Sequence, residues 1–169
     1  MNTETQNTLL QTGVSQLAID ALISEREHQE GTWNPETTSS GGDHNEIEFL
    51  VFIQDYLQEA IHIVSRGAEP LVSISASDTL RKITAMACAT AEKNNWSSQL
   101  IEKDYTQLLD NHNLVMTFGL IQHHINEGYA NTAKQFPESV KLNVASIFWL
   151  GMHTMSLKEE FAPKRLPKS

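Results

Sequence analysis

The amino-acid sequence predicts an all-α fold, a compact bundle of about five or six helices, and three observations carry that expectation. Apolar residues recur every three or four positions along most of the chain, the period of an amphipathic helix. The periodic stretches are separated by clusters of Gly, Pro, Asn and Ser that punctuate rather than extend them. The 169 residues are 40% hydrophobic and 20% charged, a globular composition long enough to bury a core without disulfides or metals. One helical domain over 1–161 is therefore expected, followed by a flexible tail, 162–169, that holds two prolines and three basic residues.

The first helix is read from Val14, Leu17, Ala18, Ala21 and Leu22, whose stripe gives way to the charged stretch 25–30 before Gly31 and Pro35 end it. The segment 31–45 has three glycines, a proline and five Ser or Thr, so it is expected to be an irregular loop, with Trp33 docking on the domain. A second helix is predicted over 46–66, burying Phe49, Leu50, Ile53, Leu57, Ala60, Ile61 and Val64, and closed by Gly67 and Pro70. After a loop over 67–76, Ser75 and Asp78 have capping-box spacing for a third helix that buries Leu80, Ile83, Met86, Ala87 and Ala91 and ends near Asn94. A fourth is expected from Ser97 or Ser98 to Leu109. A fifth is expected over 114–126, with Leu114, Met116, Phe118, Ile121 and Ile125 inside and Gly128 after its end. Pro137 suits the first position of a sixth helix, where its missing N–H is not needed, and Val140, Val144, Ile147, Phe148, Leu150 and Met155 follow as its core side.

Composition narrows the function classes. A net charge of −9 argues against general nucleic-acid binding. The polar N-terminus lacks the cationic start and apolar run of a signal peptide, and the lone Cys88 suits a reducing compartment, so a cytoplasmic protein is expected. The most apolar run, 144–152, is half the roughly 18 to 20 residues that cross a bilayer, which predicts a buried helix and no membrane association. Cys88 sits among Ala85, Met86, Ala87 and Ala89 and is expected to be a packed core residue. No Walker-type loop, GxSxG elbow or CxxC pair occurs, which removes those reaction classes.

The string Glu25-Arg26, Gln29 and Trp33, followed by FLVFIQDYLQEAIHIVSRGAEP (49–70) and DTLRKITAMACATAEKNN (78–95), resembles small helical phage and prophage proteins loosely grouped with MazG-like nucleotide pyrophosphohydrolases. The resemblance covers 25–96 and leaves 97–161 unassigned. It implies carboxylates from two adjacent helices, in an EExxE pattern and then ExxD, that hold Mg²⁺ against a nucleoside triphosphate. Asp55 and Glu59 match the first and last acids of EExxE, with Tyr56 in place of the second; Asp78 matches the first acid of ExxD, with Arg81 in place of the aspartate. On that reading Asp55, Glu59 and Asp78 hold Mg²⁺, and Arg81 and Lys82 hold the phosphates, in a host cytoplasm if the chain is viral.

Two other readings stand beside it. Asp55 and Glu59 can instead form ion pairs with Arg81 and Lys82 across the helix interface, leaving a non-catalytic module that binds a nucleotide or a host protein. Such a module is expected to be a homo-oligomer, with Phe148, Trp149, Met152 and Met155 as core residues or, because they crowd several faces of one helix, as a self-association surface. A dinuclear metal protein is the third, since Glu59 and His62 have Glu-x-x-His spacing. A second copy of that spacing is absent. His123, His124 and Glu127 are read as a solvated helix face, and Asp43-His44 as loop residues.

Overall fold

A computed structural model describes residues 3–32, 46–65, 71–94 and 114–157. Six helices occupy them: α1 (Thr3–Leu10), α2 (Gln16–Thr32), α3 (Glu46–Ser65), α4 (Leu71–Lys93), α5 (Leu114–Ala133) and α6 (Pro137–Leu157). Among the described residues there is no strand, so the all-α expectation holds. The expected fourth helix over 97–109, Trp33, Asp43, His44 and the tail lie outside the described residues.

Four helices close into a ring: α3 packs on α4, α4 on α6, α6 on α5 and α5 on α3. Cross-contacts fix the directions. Leu50 lies against Gly128 and Gln54 against Gln122, so α3 and α5 are antiparallel. Asn131 donates to Asn143 at 2.8 Å and the Thr117 and Thr154 hydroxyls meet at 3.3 Å, so α5 and α6 are antiparallel. Lys93 lies over the ring of Phe49 and Lys82 over that of Tyr56, which makes α3 and α4 antiparallel as well. Each neighbour in the ring therefore opposes the next, as in a four-helix bundle. Lys93 and Leu114 stand at opposite ends of that bundle.

Helix α2 lies outside the ring against α4 and α6. Its start is anchored twice at Ser15, whose Oγ accepts from Ala18 N at 3.2 Å as an N-cap and whose N–H donates to Ser156 Oγ at 3.0 Å. The core runs through the ring and under α2, with Leu22, Phe49, Leu57, Leu80, Ile83, Phe118, Ile121, Phe148 and Trp149 all fully buried. Full burial of one such side chain contributes roughly 1.5–3 kcal/mol. The hydroxyls of Thr84, Thr90 and Thr154 are buried among them and stay satisfied by donating to the carbonyls of Leu80, Met86 and Leu150, one turn back.

Several boundaries differ from the sequence reading, each for a local reason. Helix α1 forms in a polar stretch because it can bury Leu9 and Thr5 against the domain. Helix α4 starts at Leu71, directly after Pro70, rather than at the Ser75–Asp78 capping box. Helix α5 runs through Gly128 to Ala133 and ends in a Schellman turn. There Phe136 N donates to Asn131 O and Gln135 N to Thr132 O, with Gln135 at φ 61° in the position that usually holds glycine. Helix α6 begins at Pro137, as expected. Leu17, Ile61 and Met116 sit on the flank of their stripes and are exposed, against expectation.

The run from Asn143 to Met155 is buried on every side. Phe148, Trp149, Met152 and Met155 are thus core within one chain, and the self-association surface expected from them is not available. Among the described residues no helix is long and apolar enough to cross a membrane.

Candidate functional site

One stripe of α4, built at intervals of four, three and four residues, presents Arg81, Ala85, Cys88 and Glu92 along a single face. Helix α2 answers with Glu25, Arg26 and Gln29, which continue the register of its own apolar stripe from Ala18 and Leu22. The result is a polar seam inside the protein: Glu25 is 1% exposed, Arg26 4% and Arg81 6%. Arg26 donates through Nη1 to Gln29 Oε1 at 2.9 Å and through Nη2 to Glu92 Oε2 at 3.1 Å. Arg81 approaches Glu25 at 3.8 Å through Nε and donates through Nη2 to Asp78 Oδ1 at 2.5 Å. Lys82 reaches the other oxygen of Asp78 at 3.0 Å and lies 5.9 Å over the ring of Tyr56. Among the described residues the carboxylates of Glu25, Asp78 and Glu92 stand against the cations of Arg26, Arg81 and Lys82, and the buried ones need such partners.

The seam has two ends of different character. At Arg26–Glu92 it is sealed, with both side chains under a tenth exposed. At Arg81 it opens, because the side chains of Asp78 and Lys82 are each about a third exposed. Arg81 is also incompletely bonded: its Nε and Nη1 are buried without a hydrogen-bond acceptor, as is Arg26 Nε. A buried unsatisfied donor costs about 1–3 kcal/mol, so the Arg81 donors call for a partner. Between the two ends Cys88 is fully buried and its Sγ lies 3.6 Å from Glu92 Oε1. Burial first, and the Glu92 carboxylate second, push its thiol far above the ordinary range, which keeps it protonated and unreactive, as expected of a packed core cysteine.

The sequence-predicted acids are not gathered. Asp55 and Glu59 lie on the exposed stripe of α3, while Asp78 is held by Arg81 and Lys82 on α4. Among the described residues no group of three His, Cys, Asp or Glu side chains is placed to hold a metal ion. The Arg81 guanidinium and the Lys82 ammonium each take one oxygen of Asp78. Nor do Asp55 and Glu59 pair with Arg81 and Lys82, which turn to Glu25 and Asp78 instead. Glu59 and His62 are both exposed on α3, and His123 with Glu127 forms an exposed pair one turn apart on α5.

The stretch 25–30 reads from the sequence as the polar end of a helix, yet Glu25, Arg26 and Gln29 are buried. The signal was their register, since positions 18, 22, 25, 26 and 29 fall on one helical face. The partner Glu92 continues the same logic on α4. No family model, no curated protein and no solved structure matches this chain.

Proposed function

We propose that this chain is a non-catalytic helical binding module that takes a phosphate-bearing small molecule, a nucleotide, at the open end of the α2–α4 seam. The observation that carries this reading is Arg81 Nη1, a buried guanidinium donor with no acceptor among the described residues, beside a part-exposed Lys82. A guanidinium presents planar donors that match the oxygens of a phosphate, and an ammonium adds a mobile point charge. The MazG-like resemblance of 25–96 supports the nucleotide as ligand. We do not extend it to Mg²⁺-dependent pyrophosphohydrolysis, because that reaction needs acids gathered around a metal, and among the described residues no group of three such side chains is found.

The test combines calorimetric binding with a pyrophosphate-release assay on a panel of nucleoside triphosphates in Mg²⁺. Binding without turnover is expected, weakened by Lys82→Gln. Turnover that Asp55→Ala abolishes would return the protein to the hydrolases.

A further inference from the structure

We infer that Asp78 is a resident competitor for the ligand site and that it restricts the site to dianionic phosphoryl groups; this rests on the binding reading above. Arg81 has two donor edges. On the Nε side stands Glu25, 1% exposed and 3.8 Å away. At the far end Nη2 is capped by Asp78 at 2.5 Å, while Nη1 has no acceptor. A single carboxylate on the same helix, three residues back, satisfies one donor of that end and leaves its neighbour bare. A tetrahedral phosphoryl group in the same place accepts from Nη1 and Nη2 together and keeps a third oxygen for Lys82 Nζ, which Asp78 now holds at 3.0 Å.

Exposure gives the order of events. Arg81 is sealed, but the carboxylate of Asp78 is 36% exposed, so Asp78 is the member of the cluster that a rotamer change carries into water. Its departure frees Nη2, which then joins Nη1 as a donor without an acceptor.

Charge then selects the ligand class. A monoanion brings to the two Arg81 donors no more charge than the Asp78 carboxylate already does and gives up the advantage of a tethered group, whose effective concentration is of millimolar order or more. A carboxylic acid or a phosphodiester therefore gains nothing. A phosphomonoester or the terminal group of a polyphosphate carries close to two negative charges at neutral pH, and the second charge drives the exchange. A nucleic-acid backbone, made of diesters, is excluded on the same ground, in keeping with the net charge of −9.

Calorimetric titration of the full chain with inorganic pyrophosphate and with dimethyl phosphate tests this. The wild type is expected to bind pyrophosphate and not dimethyl phosphate. Asp78→Asn keeps an oxygen that accepts from Arg81 but removes the competing charge. It should tighten pyrophosphate binding by at least about tenfold and admit dimethyl phosphate. Thermal melts of the variant check that it folds, and the wild-type selectivity is a second measurement that needs no variant. Equal wild-type binding of the two probes overturns the dianion rule. Unchanged pyrophosphate affinity in Asp78→Asn overturns the competitor role while leaving the site intact. Absence of pyrophosphate binding in both proteins overturns the inference and the binding reading together.

Discussion

Helix α4 over 77–91 and helix α6 over 143–155 are largely enclosed, whereas α3 and α5 each leave a stripe in water: Val51, Asp55, Gln58 and His62 on the first, Met116, Gly119, His123 and Glu127 on the second. The difference comes from α2, which covers the side of the ring that α4 and α6 form. It decides what a charge is worth in each layer. Under α2 the ions Glu25, Arg26, Arg81 and Glu92 have lost most of their water and must answer one another. On the open layer an acid such as Asp55 keeps its hydration and contributes little to the fold.

That contrast is most sharply tested at Arg26. Removing one partner of a buried pair leaves the other charge uncompensated, so Arg26→Met is expected to destabilise the protein by about 3–5 kcal/mol in urea unfolding. Asp55→Ala, on the open stripe, is expected to lie within about 0.5 kcal/mol of wild type. Similar losses at the two sites would mean that the α2 roof is not seated on α4.

Helix spacing gives the next largest effect. A Cβ at Gly151 would overlap Thr84 Oγ1 and stand 2.9 Å from Thr84 Cβ, atoms close to the backbone of α4 that have no room to move. Gly151→Ala should therefore cost about 2–3 kcal/mol by forcing the enclosed helices apart. On the open layer Gly128→Ala meets only the end of the Leu50 side chain at 2.9 Å, and a change within about 1 kcal/mol is expected. At Gly119 nothing lies within 4 Å, and Ala there should stabilise the protein by about 1 kcal/mol through helix propensity. The three variants order themselves by layer, and a neutral Gly151→Ala would show that α4 and α6 are less closely packed than their contact implies.

The same contrast explains what was legible in the sequence. Amphipathic stripes on α3 and α5 gave Phe49, Leu50, Ile53, Leu57, Phe118, Ile121 and Ile125 as core, all of them buried. The apolar run 144–152 announced a helix buried on all sides, because every face carries a residue that avoids water. The seam was harder to read. Arg81 and Lys82 stood out by position, but Glu25 and Arg26 look like surface residues until their register with Ala18 and Leu22 is followed. Their burial depends on Glu92 and Arg81, more than fifty residues away, and single-helix periodicity holds no information about such partners. The end of α5 was misplaced for a related reason. Gly128 signals a helix stop by local propensity, yet here it makes room for Leu50 on α3, while the true stop at Gln135 lacks the glycine that would mark it.

The smallest expected effect lies at the rim of the open layer. Tyr129 is partly buried on α5, and its phenol is held above the ordinary value of 10.0, first by burial and then by the Asp55 carboxylate. Both causes disfavour the phenolate in the folded protein. The neutral form therefore supports the fold below pH about 10, and that contribution is lost as pH rises through the folded value. Asp55→Asn removes the second cause and leaves the first, so Tyr129 should ionise at lower pH than in the wild type but still later than a free phenol. The chain has three tyrosines, and substituting Tyr56 and Tyr105 by Phe lets the tyrosinate absorbance report on Tyr129 alone. An unmoved titration midpoint in Asp55→Asn would mean that Asp55 faces away from α5, and the open stripe of α3 would then have to be redrawn.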